Sequence, residues 1–152
     1  MSSKSGKKKK KTKAEVSDVT IVYSKLFLAW VGIQQLYSSP LPIREAIKVR
    51  HIVNILRPEM DIRNELVGVV LEEFGATKDD KGEWKLNESN EVIFPSKKKD
   101  ADASKKLDEI SKQEATFKLK PLDLSSITLN NISITGVSLN SMIEAGLLIE
   151  DD

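Results

Sequence analysis

The chain has 152 residues, 39% hydrophobic and 31% charged, with one histidine and no cysteine. That length supports one compact core, and the absence of cysteine excludes disulfides, thiolate metal sites and cysteine nucleophiles. The net charge of +1 hides an asymmetry: seven of the 24 basic residues fall in residues 1–13, which hold no acid, leaving 17 bases against 23 acids in the rest.

The basic arm comes first. Residues 5–15 read SGKKKKKTKAE. Lysines this dense repel one another and bury nothing, so residues 1–14 are expected to form a disordered tail. No apolar run follows Lys13, which argues against a signal peptide. Ser2 after the initiator methionine argues against myristoylation. The best apolar stretch, LFLAWVGI, falls far short of the ~20 residues that cross a bilayer. The expectation is a soluble intracellular protein without a membrane partner.

Past the arm, DVTIVY reads as a short strand or the lead-in to a helix. SKLFLAWVGIQQLY reads as a helix whose buried face holds Leu26, Phe27, Trp30, Val31, Ile33 and Leu36. SSPLP ends it, and Ser39 is the expected cap of the next element. From Pro42 to Phe74 a second helical stripe runs through Ile43, Ile47, Val49, Ile52, Val53, Leu56, Met60, Leu66, Val67, Val70 and Phe74. Pro58 inside it predicts a kink or a break, and Gly75 supplies the stop. This helix is expected to pack antiparallel on the first.

The texture then changes. Asp79, Asp80 and Gly82 are turn residues, and Trp84 and Leu86 flank Lys85 as in a strand. PSKKKDADASKK reads as a polar loop, and Ser104–Gln113 as a short helix capped by Ser104. ATFKLKPLDLSSITLNNISITG alternates and is rich in β-branched residues, predicting one or two strands. SLNSMIEAG predicts a last helix, capped by Ser138 and stopped by Gly146, before the acidic LLIEDD. No internal repeat is expected.

Few residues suggest chemistry. Aligning Gly82 with the invariant glycine of a calcium loop puts Asp79 third and Glu88 twelfth, but Thr77 and Lys81 then fill positions that need carboxylates. A turn between helix and strand fits better. His51 has no second ligand or triad partner near it in KVRHIVN. Gly6-Lys7 lacks the first glycine and the Ser/Thr of a phosphate loop. Glu72-Glu73 and Asp108-Glu109 read as solvated surface. No catalytic residue, metal ligand or cofactor site is assigned. Trp30 is expected in the core, and Trp84, beside a turn, is the candidate protein-binding anchor. Lys7, Lys8, Lys9, Lys10, Lys11 and Lys13 are candidates for weak contact with nucleic acid, blind to sequence and sensitive to salt.

The order of VTIVYSKLFLAW, a long helix closing in EEFG, a KDDKGEW turn, KKLDEISKQ leading into EATFKLKPLDLSSI, and a final VSLNSMIEAGLLIED resembles a group of small bacteriophage-encoded proteins of uncharacterised function. The resemblance covers roughly residues 17–151, leaves out the lysine tail and supplies no catalytic residue. It implies a phage origin and an α+β fold. The expected architecture is a tail over residues 1–14 and a single α+β domain over 15–152, with a helical hairpin on a small, mostly antiparallel sheet. The expected role is a non-enzymatic phage protein that binds and modulates another protein, such as a host or defence factor, in the host cytoplasm. The alternative is a virion or assembly component whose lysine tail contacts packaged DNA. Self-association is left open.

Overall fold

The structure, a computed structural model, describes residues 15–125 and 134–149. The lysine tail lies outside them, as do residues 126–133 of the stretch expected to form one or two strands. In chain order the elements are β1 (Ser17–Val22), α1 (Tyr23–Tyr37), α2 (Ile43–Glu73), α3 (Lys97–Ser111), β2 (Glu114–Leu119), β3 (Leu122–Asp123), α4 (Gly136–Glu144) and β4 (Leu148–Ile149). The fold is α+β. The contacts gather into two compact units. Unit 1 holds the chain up to Met60 and from Glu114 onward; unit 2 is Asp61–Gln113.

Unit 1 contains the larger core. β1 pairs antiparallel with β2 from Ser17↔Leu119 to Val22↔Glu114. The alternation puts Ile21, Phe117 and Leu119 on the buried side. The other side carries the Asp18–Lys118 ion pair at 3.3 Å and a Thr20–Thr116 hydroxyl contact at 2.8 Å. β3 and β4 form a short parallel pair, Leu122↔Leu148 and Asp123↔Ile149.

α1 and the first part of α2 run antiparallel, as three contacts in reversed order show. The Tyr23 hydroxyl donates to Glu59 Oε2, Arg57 lies over the Trp30 ring, and Arg50 Nη1 donates to the Tyr37 hydroxyl. Leu26, Ala29, Ile33 and Leu36 of α1 and Val49, Ile52, Val53 and Leu56 of α2 are all buried. Full burial of each leucine or isoleucine contributes about 2 kcal/mol. α4 lies close against α1 at Gly32, where an added Cβ would stand 3.0 Å from both Met142 Cγ and the Ser138 carbonyl oxygen. Lys25 and Glu144 bridge the same two helices at 3.7 Å.

Several helix ends differ from the sequence reading. Ser39 does not cap α2. Its hydroxyl donates to the Gln35 carbonyl at 2.8 Å, closing α1, while α2 opens with the Ala46 amide on the Pro42 carbonyl at 2.9 Å. Pro58 does not break α2, which runs unbroken from Ile43 to Glu73. One lost backbone bond is small beside the packing on either side. α3 begins at Lys97, within the supposed loop. Ser96 is its cap, accepting from the Lys99 amide at 3.2 Å, and Lys98–Asp102 (3.3 Å) offsets the crowded lysines. Thr135, not Ser138, caps α4 by accepting from the Ser138 amide, and Ser138 is buried inside the helix.

The glycine stops hold. Gly75 (φ +92°) follows α2, with its amide on the Glu72 carbonyl and the Ala76 amide on the Leu71 carbonyl. Gly146 (φ +82°) repeats that double bond after α4, on Ile143 and Met142. Both are left-handed caps that glycine adopts without steric penalty.

Unit 2 is local in sequence. It contains a feature the sequence reading missed, an eight-residue repeat. The Asp79 carboxylate accepts from the amides of Lys81 (2.8 Å) and Glu83 (3.0 Å), and Asn87 Oδ1 accepts from those of Ser89 (2.8 Å) and Glu91 (3.0 Å). The backbone bonds repeat as well. Asp79 and Asn87 donate to the Glu83 and Glu91 carbonyls at 2.8 Å, and Gly82 and Asn90 donate back at 3.0 Å. Gly82 (φ +79°) and Asn90 (φ +63°) share the left-handed position. Two copies of one side-chain-braced turn therefore follow each other.

Candidate functional site

The sequence-level candidates come first. Trp84 is half-buried. An added Cβ at Gly68 would sit 3.9 Å from its Cζ2, and the Lys78 ammonium lies 4.8 Å from the ring centroid. The ring thus rests against α2 under a lysine. Lys7–Lys11 and Lys13 lie outside the described residues. Asp79 uses Oδ1 to brace its own turn, and among the described residues no three acidic, histidine or cysteine side chains gather as a metal-binding group. His51 is exposed on α2.

What the structure does assemble is an exposed face on α1 in unit 1. Several residues of the two expected buried stripes turn out otherwise, Ile47 and Leu66 of α2 among them at 53% and 42% exposure. Phe27 and Val31 are 43% and 39% exposed, Trp30 is half-buried, and Ile43 at the start of α2 is 78% exposed. The helix buries Tyr23, Leu26, Ala29, Gly32, Ile33 and Leu36 instead. At Gly32 α4 approaches too closely for a larger residue, and Phe27 and Val31 lie on the outer side.

Beside this face lies an open cleft of about 650 Å³ between the second half of α1 and the lead-in to α4. Trp30, Val31 and Ile134 supply its apolar wall; Gln34, Gln35 and Ser38 supply amide and hydroxyl groups. The Thr135 amide donates to Gln35 Oε1 at 3.4 Å, tying the two sides together. Its volume falls within the range of ligand-binding clefts, and its mixed lining suits a peptide segment. Burial, and then the Glu59 carboxylate, push the Tyr23 phenol up to about 12, so the hydroxyl that anchors α1 to α2 stays protonated. A smaller cavity of about 230 Å³ in unit 2 is lined by Leu71, Phe94, Asn87, Glu91 and Asp100, among others.

The sequence held one signal for the α1 face. Apolar residues run nearly all round the helix, from Leu26 through Leu28 and Val31 to Ile33, which is more than one neighbour can cover. No helix among the described residues is long and apolar enough to cross a membrane. No family model, curated protein or solved structure matches the chain.

Proposed function

We propose that the protein works without catalysis, by binding another protein through the exposed α1 face and its cleft. The observation that carries this reading is the clustering of Phe27, Trp30, Val31 and Tyr37 beside glutamine and hydroxyl side chains. Aromatic anchors within reach of adaptable polar groups are the usual content of an interface centre. The phage resemblance supports a partner inside the infected cell, a host or defence factor whose activity the binding modulates.

Affinity capture from infected cells tests this, with the wild-type chain and Val31→Asp run side by side. A stoichiometric prey held by the first and lost by the second is the expected result. An identical set of prey with both overturns the reading. The lysine run supports a second reading, a virion or assembly component whose tail contacts packaged DNA. Mass spectrometry of purified particles separates the two, since stoichiometric presence in the particle favours the second. Tail contact with DNA would be sequence-blind and lost with rising salt, at a logarithmic slope approaching roughly −6 for seven lysines on a duplex.

A further inference from the structure

The chain has four arginines, Arg44, Arg50, Arg57 and Arg63, and all of them lie on α2. Two of them meet aromatic side chains of α1. Arg50 Nη1 donates to the Tyr37 hydroxyl at 3.1 Å, and the Arg57 guanidinium carbon lies 5.9 Å from the Trp30 ring centroid. Trp30 and Tyr37 are seven residues apart on α1; Arg50 and Arg57 are seven apart on α2, in the reverse order. The result is two arginine–aromatic rungs on antiparallel helices, about 10 Å apart along the axes.

Among the described residues Arg44, Arg50 and Arg57 have no carboxylate partner, whereas lysines elsewhere find theirs. Glu45, the only acid between Ile43 and Pro58, is held by Lys48 at 3.4 Å. A guanidinium steadied by an aromatic side chain keeps further N–H donors for a carboxylate and loses less freedom on meeting one. The same stripe of α2 continues toward its start through Asn54, Ile47 and Ile43, all exposed, at spacings of three and four. That is an apolar foot below a cationic ladder, at the period of a helix–helix seam.

We infer that this seam docks an acidic amphipathic helix of the partner protein, with carboxylates seven residues apart on Arg50 and Arg57 and apolar side chains on Ile43 and Ile47. The inference rests on the protein-binding function proposed above and names the chemistry of the partner. Nucleic acid fits less well. Its affinity needs many cations, and phosphates would leave Ile43 and Ile47 uncovered.

The test uses the full-length chain and a fluorescein-labelled helical peptide with leucines on one stripe and glutamates at seven-residue spacing. Its glutamine counterpart and a single-stranded oligonucleotide serve as the other arms. Anisotropy should show binding to the glutamate peptide alone. Affinity should fall about tenfold in the double variant Arg50→Gln/Arg57→Gln and hold in Lys98→Gln. Arg50→Lys/Arg57→Lys, which keeps the charge and loses the planar fork, should lose part of it. Unchanged melting temperatures show that the variants fold. Equal binding to the glutamine peptide, tighter binding to the oligonucleotide, or binding unaffected by the arginine variants would each overturn the inference. So would a homodimer in sedimentation that the glutamine variant disperses, because the seam would then belong to a second copy. If Val31→Asp loses the captured prey and the glutamine variant keeps it, the proposed function stands and this inference falls. Retention by both removes both.

Discussion

The two units solve stability in different ways. Unit 1 is held by residues far apart in sequence: β1 pairs with a strand almost a hundred residues on, and α1 packs against α4 from the other end of the chain. Its core is a continuous set of fully buried aliphatic side chains, Leu26, Ile33, Leu36, Ile52, Leu56, Met142 and Leu147 among them. Unit 2 buries only Val70, Leu71, Ala76 and Ala103 among the described residues, and of these only Ala103 completely. It relies on a glycine-capped helix end, two braced turns and the Lys106–Glu73 pair at 3.1 Å, all local or nearly so. A core built from distant segments forms cooperatively or not at all, while turns braced by their own side chains form piece by piece. Substitutions in unit 1 should therefore act on the whole unit, and those in unit 2 should stay close to where they are made.

The strongest way to break this comparison is Leu56→Ala. The side chain is fully buried, and its removal should cost about 2–5 kcal/mol in denaturant unfolding. Amide exchange should quicken together across β1, α1 and α4. Exchange confined to α2 near residue 56 would show that unit 1 is not one cooperative body. Next comes Gly75→Ala in unit 2. An added methyl would stand 2.7 Å from Pro95 Cγ at φ +92°, so a loss of about 1–3 kcal/mol is expected, from both clash and strain. The faster exchange should centre on the end of α2 and residues 76–95. Gly82→Ala, at φ +79° in open space, carries the conformational penalty alone and should cost about 1 kcal/mol.

Tyr23 gives a pH test confined to unit 1. Its phenol is held up to about 12 in the folded chain, against 10.0 for a free phenol, so the folded state favours the protonated form. That contribution is full below pH 10 and is lost as pH climbs toward 12, because the unfolded chain releases its proton first. Stability should fall over that window more steeply in the wild type than in Tyr23→Phe. At neutral pH the variant should cost about 1 kcal/mol, for the bond to Glu59. Parallel pH profiles for the two proteins would place the source of any alkaline loss elsewhere.

The same contrast explains what the sequence disclosed. The helices α1 and α2, the strand before them and the stops at Gly75 and Gly146 were legible, because apolar periodicity and left-handed glycine are local properties. The buried side of α1 was not. Which of Phe27, Trp30 and Val31 faces inward depends on how closely α4 approaches Gly32, and that partner lies more than a hundred residues away. The aromatic face and its cleft were hidden for that reason. The arginines pairing with Trp30 and Tyr37 were hidden because their register depends on how α2 lies along α1. Ser39, Ser104 and Ser138 show a smaller limit. Ser39 and Ser138 sit at or near helix ends and Ser104 falls in the middle of α3, and a serine's choice among capping, back-bonding and burial is decided by neighbours one turn away. The repeated turn was missed because its two copies share geometry and little identity: Asp79 matches Asn87, and Gly82 matches Asn90.

That mismatch yields the smallest and sharpest prediction. If the two turns are one device, their residues should be exchangeable in a predictable direction. Asp79 and Asn87 each use a side-chain oxygen to accept two amides at matching distances. Asn87→Asp keeps the acceptor, strengthens it by charge and adds repulsion from Glu88 and Glu91, so the change should stay within about 0.5 kcal/mol. Asn87→Ala removes the brace and should cost about 1 kcal/mol. At the left-handed position, Asn90→Gly relieves a side chain held at φ +63°, and Gly82→Asn imposes the same conformation where glycine stood. The first should stabilise by a few tenths of a kcal/mol and the second should destabilise by about as much. Thermal melts of the four single variants, with exchange measured at the Ser89 and Glu91 amides, read both effects. Opposite signs of similar size at positions 82 and 90 would identify two copies of one turn. A large loss at one position alone would mean that the turns carry different loads, and that unit 2 is less local than its hydrogen bonds indicate.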